Sequence, residues 1–271
     1  MYEAYWGLTE PPFALTPDPR FLYLGKEHED ALVMLHYAIT RNRGAGVLMG
    51  DIGLGKTTIS RKLIEILDPV QFKMALIVNP ILTPIQLLQE ILHQLGVEVH
   101  SRNRQQLVQA LHEHLIHMYE HGQRAVLMID EAHLIRSANT FEELRLLLNC
   151  QMNDQFLLSL ILLGQLELQK KLERVPALKQ RLAVRHVLKP LDQQETARLI
   201  EHRMRVAGFA SERIPFTPDA LYELYQHTGG YPRLVCQLAD NALLMGMAQK
   251  VQVIDGYLMH GVIQDYEGKE W

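Results

Sequence analysis

The chain has 271 residues, of which 48% are hydrophobic and 21% charged, with a net charge of −4. A chain of that size builds one large domain or two smaller ones and needs no disulfide or metal to close its core. The charge excludes a global pull toward nucleic acid, although a local basic face stays open. The two cysteines, Cys150 and Cys236, read as buried free thiols of a reducing compartment. The opening Met1-Tyr2-Glu3-Ala4-Tyr5-Trp6 has neither the basic nor the apolar region of a secretory signal. The apolar run from Phe156 to Leu163 is far too short to span a bilayer. The expectation is a cytoplasmic protein that reaches a membrane only through a partner.

In chain order, residues 1–25 are rich in Pro and aromatics, so they read as a non-helical, ordered arm lying against the main domain. A helix follows over about 27–41, with Ala31, Leu32, Leu35 and Ile39 at helical spacing. Gly46 to Met49 is a short buried strand, and Thr58 to Leu67 a helix. A second strand spans Phe72 to Val78. Helices are expected over about 83–95, with Thr83 as cap and Pro84 at its first position, and over about 103–121. The third strand, Arg124 to Asp130, is uniformly apolar, as a strand covered on both faces should be. A helix over about 141–151, a strand from Phe156 to Leu163, a helix over about 166–182 and a strand from Arg185 to Leu188 complete the alternation. Strands alternating with helices imply a parallel sheet covered on both sides. After Pro190 only helices are expected, at about 192–207, 217–228, 232–248 and 255–265. The domains are therefore an arm over 1–25, an α/β domain over 26–190 and a small all-α domain over 191–271.

Two stretches carry chemistry. Gly50-Asp51-Ile52-Gly53-Leu54-Gly55-Lys56-Thr57, followed by Thr58, fits G-x-x-x-x-G-K-[ST] and stands between a strand and a helix. Its glycines allow a tight turn that brings N–H groups to phosphate oxygens, and the helix N-terminus adds partial positive charge. Lys56 suits β- and γ-phosphates, and the Thr57 hydroxyl suits Mg²⁺. The second stretch, Val126 to His133, is an apolar strand ending in Asp130 and Glu131. At the carboxyl end of a sheet strand such groups face the ligand crevice. Asp130 would hold the metal, and Glu131 would orient and deprotonate an attacking water.

With its glycine loop, acidic strand and trailing helices the chain resembles an AAA+ ATPase. Met1-Tyr2, Tyr5-Trp6-Gly7-Leu8, Pro12-Phe13 and the run from Thr16 to Leu24 resemble the opening of the general secretion pathway protein A ATPases, whose relatives serve pilus biogenesis or transposition. The resemblance implies a three-layer P-loop NTPase fold with a helical lid, and ATP and Mg²⁺ as cofactors. It implies that Gln165 is a γ-phosphate sensor, with helix capping as the alternative. Arg181 takes the place of an arginine finger acting on a neighbouring subunit, with Arg174 and Arg185 as competitors. Arg233, in Gly229-Gly230-Tyr231-Pro232-Arg233, is a sensor arginine. Phe21-Leu22-Tyr23 either walls the adenine pocket, so that Tyr23 binds nucleotide, or packs in the core. His133 stands where the family usually has Gln; it either tunes the water or couples to a neighbour, or it is a neutral replacement.

The resulting expectation is a homo-oligomeric, Mg²⁺-dependent ATPase that assembles or remodels a secretion or pilus complex. The alternative is an ATP-dependent, DNA-binding regulator of transposition, using Arg41, Arg43, Arg102 and Arg104. A catalytically silent interaction protein is disfavoured by the intact Lys56, Asp130 and Glu131. His114, His117 and His121 share a helix face, but nothing nearby completes a metal site, so they read as solvated.

Overall fold

The computed structural model describes residues 1–15, 18–153 and 155–268. Thr16 and Pro17 of the arm, Asp154 and the last three residues of the expected helical domain lie outside the described residues. The helices are α1 (Glu3–Trp6), α2 (Lys26–Thr40), α3 (Lys56–Ile66), α4 (Pro84–Gln94), α5 (Arg104–Glu120) and α6 (Ala138–Leu147), then α7 (Glu167–Glu173), α8 (Pro176–Lys179), α9 (Gln193–Val206), α10 (Pro218–Thr228), α11 (Pro232–Ala248) and α12 (Gly256–Glu267). The strands are β1 (Ala45–Met49), β2 (Phe72–Ile77), β3 (Arg124–Ile129), β4 (Gln151–Met152), β5 (Gln155–Phe156), β6 (Leu158–Gly164) and β7 (Leu182–Val187). They form two compact units. One is Glu27–Ile52 with Ile59–Leu188; the other is Met1–Lys26 with Gly53–Thr58 and Lys189–Trp271.

The first unit is built on a five-stranded parallel sheet in the order β2-β3-β6-β1-β7. The central strands β1 and β6 are buried at every position, while β7, at the edge, is buried at Leu182 and then alternates exposed and half-buried residues. That contrast is what a two-sided cover demands of central strands and relaxes at an edge. Val47, Leu127, Ile129, Leu160 and Leu162 share one hydrophobic cluster with Leu87, Leu88 and Ile91 of α4 and Leu107, Leu111 and Leu115 of α5. The opposite face meets α2: a Cβ on Gly46 would stand 3.3 Å from a methyl of Leu35. The unit is therefore a three-layer sandwich. α4 starts with a full capping box, Thr83 and Gln86 satisfying each other's backbone N–H groups.

Several local expectations need correction. The helix expected over 166–182 is broken at Arg174-Val175 by Pro176, which cannot continue α7 and instead opens α8. β7 consequently begins at Leu182, earlier than expected, and Arg181 precedes it rather than ending a helix. The helix expected over 141–151 runs from Ala138 to Leu147, started by the Ser137 cap, and its last residues instead pair as β4 with β5. Cys150 is half-buried rather than buried; both thiols are free.

The second unit is helical, and the arm is part of its core. Tyr2, Trp6, Leu8, Phe13 and Phe21 cluster with Leu199, Ile200, Met204, Val235 and Leu243. The expectation set the arm against the nucleotide-binding domain; its side chains are buried among α9, α11 and their neighbours. Indole Nε1 of Trp6 donates to the Leu243 carbonyl at 2.9 Å, Tyr5 Oη to Val251 O at 2.6 Å, and Thr9 N–H to Ala207 O at 2.8 Å. Tyr2 donates to Asp240, and burial with that acidic partner drives the phenol far above its usual range. The arm also contains an α-helical turn, α1, and a 3₁₀ turn, Pro19–Phe21, where none was expected. Trp6 and Tyr2 must face the same side to reach this core, and a single turn closed by Gly7 in the left-handed conformation achieves it.

Candidate functional site

Three strand ends meet at one edge of the α/β unit. Met49 at the end of β1 is in register with Gly164 at the end of β6, and Ile129 at the end of β3 with Leu162. The residues that follow are Gly50-Asp51-Ile52, Asp130-Glu131 and Gln165. Gly50 N–H donates to Gly164 O at 3.2 Å, which ties the start of the glycine loop to β6. Asp130 N–H donates to Ile77 O at 2.8 Å, and Asp130 is 4% exposed. Its Oδ1 accepts the Glu131 N–H at 2.8 Å.

Glu131 has φ of 50°, left-handed backbone in a residue that is not glycine. Such a conformation costs about 1–2 kcal/mol, and strain of this kind gathers where geometry serves a function. It redirects the chain from β3 into the short 3₁₀ turn Ala132–Leu134. Oε2 of Glu131 is buried and accepts no hydrogen bond among the described residues; it lies 3.2 Å from Nδ1 of His133. His133 is 6% exposed, and the same Nδ1 lies 3.3 Å from the backbone N of Gln165. Lys171 of α7 donates to the carbonyls of His133 and Ile135, pinning this turn from below. Glu131, His133 and Gln165 are thus brought together. The His133 contact was not foreseen; its signal was the short spacing from Glu131 at a strand end, where two residues bring a side chain back to the same carboxylate.

The remainder of the glycine loop, Gly53 to Thr58, belongs to the helical unit, together with Tyr23 and Arg233. Lys56 and Leu54 are buried. Gly53 has φ of 84°, and its carbonyl accepts the N–H of Arg233 at 3.2 Å. A Cβ at Gly53 would come within 2.8 Å of the Arg233 Cβ, so glycine is required for both conformation and space. Arg233 stands on the first turn of α11, which Pro232 opens; its side chain is exposed. Gly230, φ of 76°, allows the Leu191 carbonyl to pack where a Cβ would otherwise be, and so fixes the approach to Tyr231-Pro232-Arg233. Tyr23 is half-buried, its ring tilted against that of His202, while Phe21 is buried in the helical core under the guanidinium groups of Arg20 and Arg203.

The three arginines differ. Arg181 is half-buried and donates to Arg145 O at 3.1 Å. Arg185 donates to the Lys179 carbonyl, and Arg174 is exposed at the end of α7. Of the basic residues considered for DNA, Arg104 makes a two-pronged ion pair with the buried Glu143 at 2.7 and 3.0 Å, which raises the affinity of its guanidinium for the proton. Arg43 donates to the Tyr37 hydroxyl and lies over its ring. Arg41 and Arg102 are exposed.

Residues 39–172 match the AAA domain family. Over 254 residues the chain is 37% identical to General secretion pathway protein A of Aeromonas hydrophila, covering 92% of this chain and 45% of that protein. The chain therefore spans less than half the length of this curated relative. Among solved structures it is similar to the ORC2 protein of Aeropyrum pernix in its ADPNP–ADP complexes, with a TM-score of 0.69 and 16% identity over 94% of this chain and 71% of that one. The ORC1 protein of Aeropyrum pernix in complex with DNA gives a TM-score of 0.69 at 18% identity, covering 95% of this chain and 70% of that one. The RuvB Holliday junction branch migration motor of Thermotoga maritima gives 0.58 at 19% identity, covering 89% and 69%. At these identities the likeness is one of fold.

Proposed function

We propose that this chain, which matches the AAA domain over residues 39–172 and is similar to General secretion pathway protein A of Aeromonas hydrophila, is an ATPase that binds ATP with Mg²⁺. Hydrolysis would then drive the assembly or remodelling of a partner complex of the secretion or pilus type. The observation that carries the reading is the shared edge of β1, β3 and β6, which sets the start of a phosphate loop, two carboxylates and Gln165 side by side.

The loop backbone N–H groups from Gly50 to Thr58 would receive the phosphates, and Lys56 would neutralise charge on the β- and γ-phosphates. Glu131 would align a water for in-line attack on the γ-phosphorus and accept its proton as the bond to the bridging oxygen breaks, releasing ADP and phosphate. Gln165 would contact the γ-phosphate, and Arg233 would read the nucleotide from the helical unit. The Thr57 hydroxyl and Asp130 carboxylate are hard oxygen donors that suit Mg²⁺. Among the described residues no three His, Cys, Asp or Glu side chains gather to cage a metal ion, so most of its oxygens would come from nucleotide and water. When bound, the ion supplies charge neutralisation of the phosphates. Arg181 of a neighbouring copy would stabilise transition-state charge, which makes a homo-oligomer the working form. Tyr23 would stand by the base.

Among the described residues no helix is long and apolar enough to cross a membrane; we place the protein in the cytoplasm, meeting the inner membrane through a partner. The test is phosphate release from ATP with and without Mg²⁺, for the wild type and Glu131→Gln, with sedimentation in the presence of each nucleotide. Turnover that is indifferent to Mg²⁺ or to Glu131→Gln sinks the reading.

A second reading, ATP-dependent DNA binding in a transposition-type assembly, is favoured by the fold likeness to the DNA-bound ORC1 protein and by the exposed Arg41 and Arg102. Duplex DNA binding at two salt concentrations, with and without ATP, decides it: salt-sensitive, ATP-dependent binding supports it, and no binding at low salt removes it.

A further inference from the structure

We propose that His133 is a positioning residue that couples Glu131 to the end of β6 through a single ring nitrogen. The inference rests on Glu131 being the base of the proposed hydrolysis and adds a control on it. Nδ1 of His133 faces two groups at once: Oε2 of Glu131 at 3.2 Å and the N–H of Gln165 at 3.3 Å. The first needs a donor and the second needs an acceptor. One neutral imidazole nitrogen is either protonated or carries a lone pair, so it satisfies one group only. With the proton on Nδ1, the ring holds the Glu131 carboxylate and the Gln165 N–H has no acceptor there. With the proton on Nε2, Nδ1 accepts from Gln165 and Glu131 Oε2 loses its donor. Both forms are neutral tautomers, so the change needs no net proton uptake.

The surroundings leave little alternative. Oε2 is buried and has no hydrogen-bond partner among the described residues, the approach of Nδ1 at 3.2 Å included. The imidazole is 6% exposed, and Lys171 fixes the backbone on either side of Leu134 by binding the carbonyls of His133 and Ile135. Glu131 itself has left-handed backbone, and its side chain is 40% exposed. Gln165 is the first residue after β6. A γ-phosphate engaged by its side chain would draw the N–H toward or away from Nδ1 and thereby select the tautomer. The carboxylate would then be held or released according to the state of the nucleotide.

The test uses Asn and Gln as probes of position. An Asn amide falls near the place of Nδ1 and can donate or accept by flipping; a Gln amide falls nearer Nε2. His133→Leu is expected to lower kcat by about tenfold, the order of one hydrogen bond to a charged group, with binding of a fluorescent ATP analogue essentially unchanged. His133→Asn should recover most of the loss and His133→Gln should not. In a Glu131→Gln background, His133→Leu should have no further effect. Equal rates for the Asn and Gln variants overturn the proposal, as does a loss of nucleotide affinity as large as the loss of kcat. Should the Leu variant fail to fold, the Asn-to-Gln comparison decides alone. Wild-type turnover with a Glu131→Gln loss but a fully active His133→Leu sinks this inference only. Absence of wild-type turnover sinks the proposed function and the inference with it.

Discussion

The two units of this molecule hold their functional residues in opposite ways. In the α/β unit Asp130, Glu131 and Gln165 stand on the ends of strands buried on both faces, and the sheet dictates their spacing. In the helical unit Gly53 and Arg233 meet through one backbone hydrogen bond, in a core completed by an arm from the other end of the chain. The first arrangement suits chemistry, which needs fixed distances. The second suits sensing, which needs a contact that can be made and broken at low cost.

This contrast breaks if mutations in the two units have the same signature. The largest effect should come from Glu131→Gln, which should lower kcat by about 10²–10⁴-fold, the range of general base catalysis, while ATP binding measured by fluorescence is kept. Trp6→Ala should destabilise the helical unit by about 3–5 kcal/mol, as for large core truncations. Denaturant unfolding monitored at separate probes should then show that unit melting before the sheet. Arg104→Ala leaves the buried Glu143 without its partner and should cost about 2 kcal/mol. Because it is a structural pair, its effect should appear in the melting temperature and not in DNA binding, whereas Arg41→Ala would show the reverse under the second reading. A further test is Gly53→Ala. It should cost about 1–2 kcal/mol through the left-handed backbone and more through the clash of its Cβ with that of Arg233, read as weaker nucleotide binding with kcat little changed. A Gly53→Ala variant with normal affinity would remove the sensing role given to the Arg233 contact.

Much of this was legible in the chain. Uniformly apolar Ala125 to Ile129 could only be a strand covered on both faces, and the glycine pattern between a strand and a helix located the loop. Capping residues Thr83, Asn103, Asp192, Thr217 and Asp255 each start a helix as their side chains allow. The arm was misplaced because composition shows that Trp6 and Phe13 must be buried but not in which core. That answer lies in the Leu243 carbonyl, far away in sequence. The α7–α8 break was missed although Pro176 signals it, since the flanking leucines keep helical spacing across the gap. The positive φ of Glu131 and the shared nitrogen of His133 were out of reach, because both follow from how β3 and β6 end beside each other.

The arm has a further consequence for how the protein is made. The indole of Trp6 and its acceptor at Leu243 are separated by 237 positions. At ordinary elongation rates the ribosome needs about 10–50 s to supply the second after the first. The sheet, whose strands all lie between them, has its full complement long before the helical core does. The prediction is that ribosome-stalled chains long enough for β7 to clear the exit tunnel, but ending before Leu243, already protect β1 to β7 from protease while the first 26 residues are still cleaved. Protection of the arm at that length would show that it has another temporary host. Otherwise, during synthesis, the arm's aromatic side chains wait without their partners until α11 has been made.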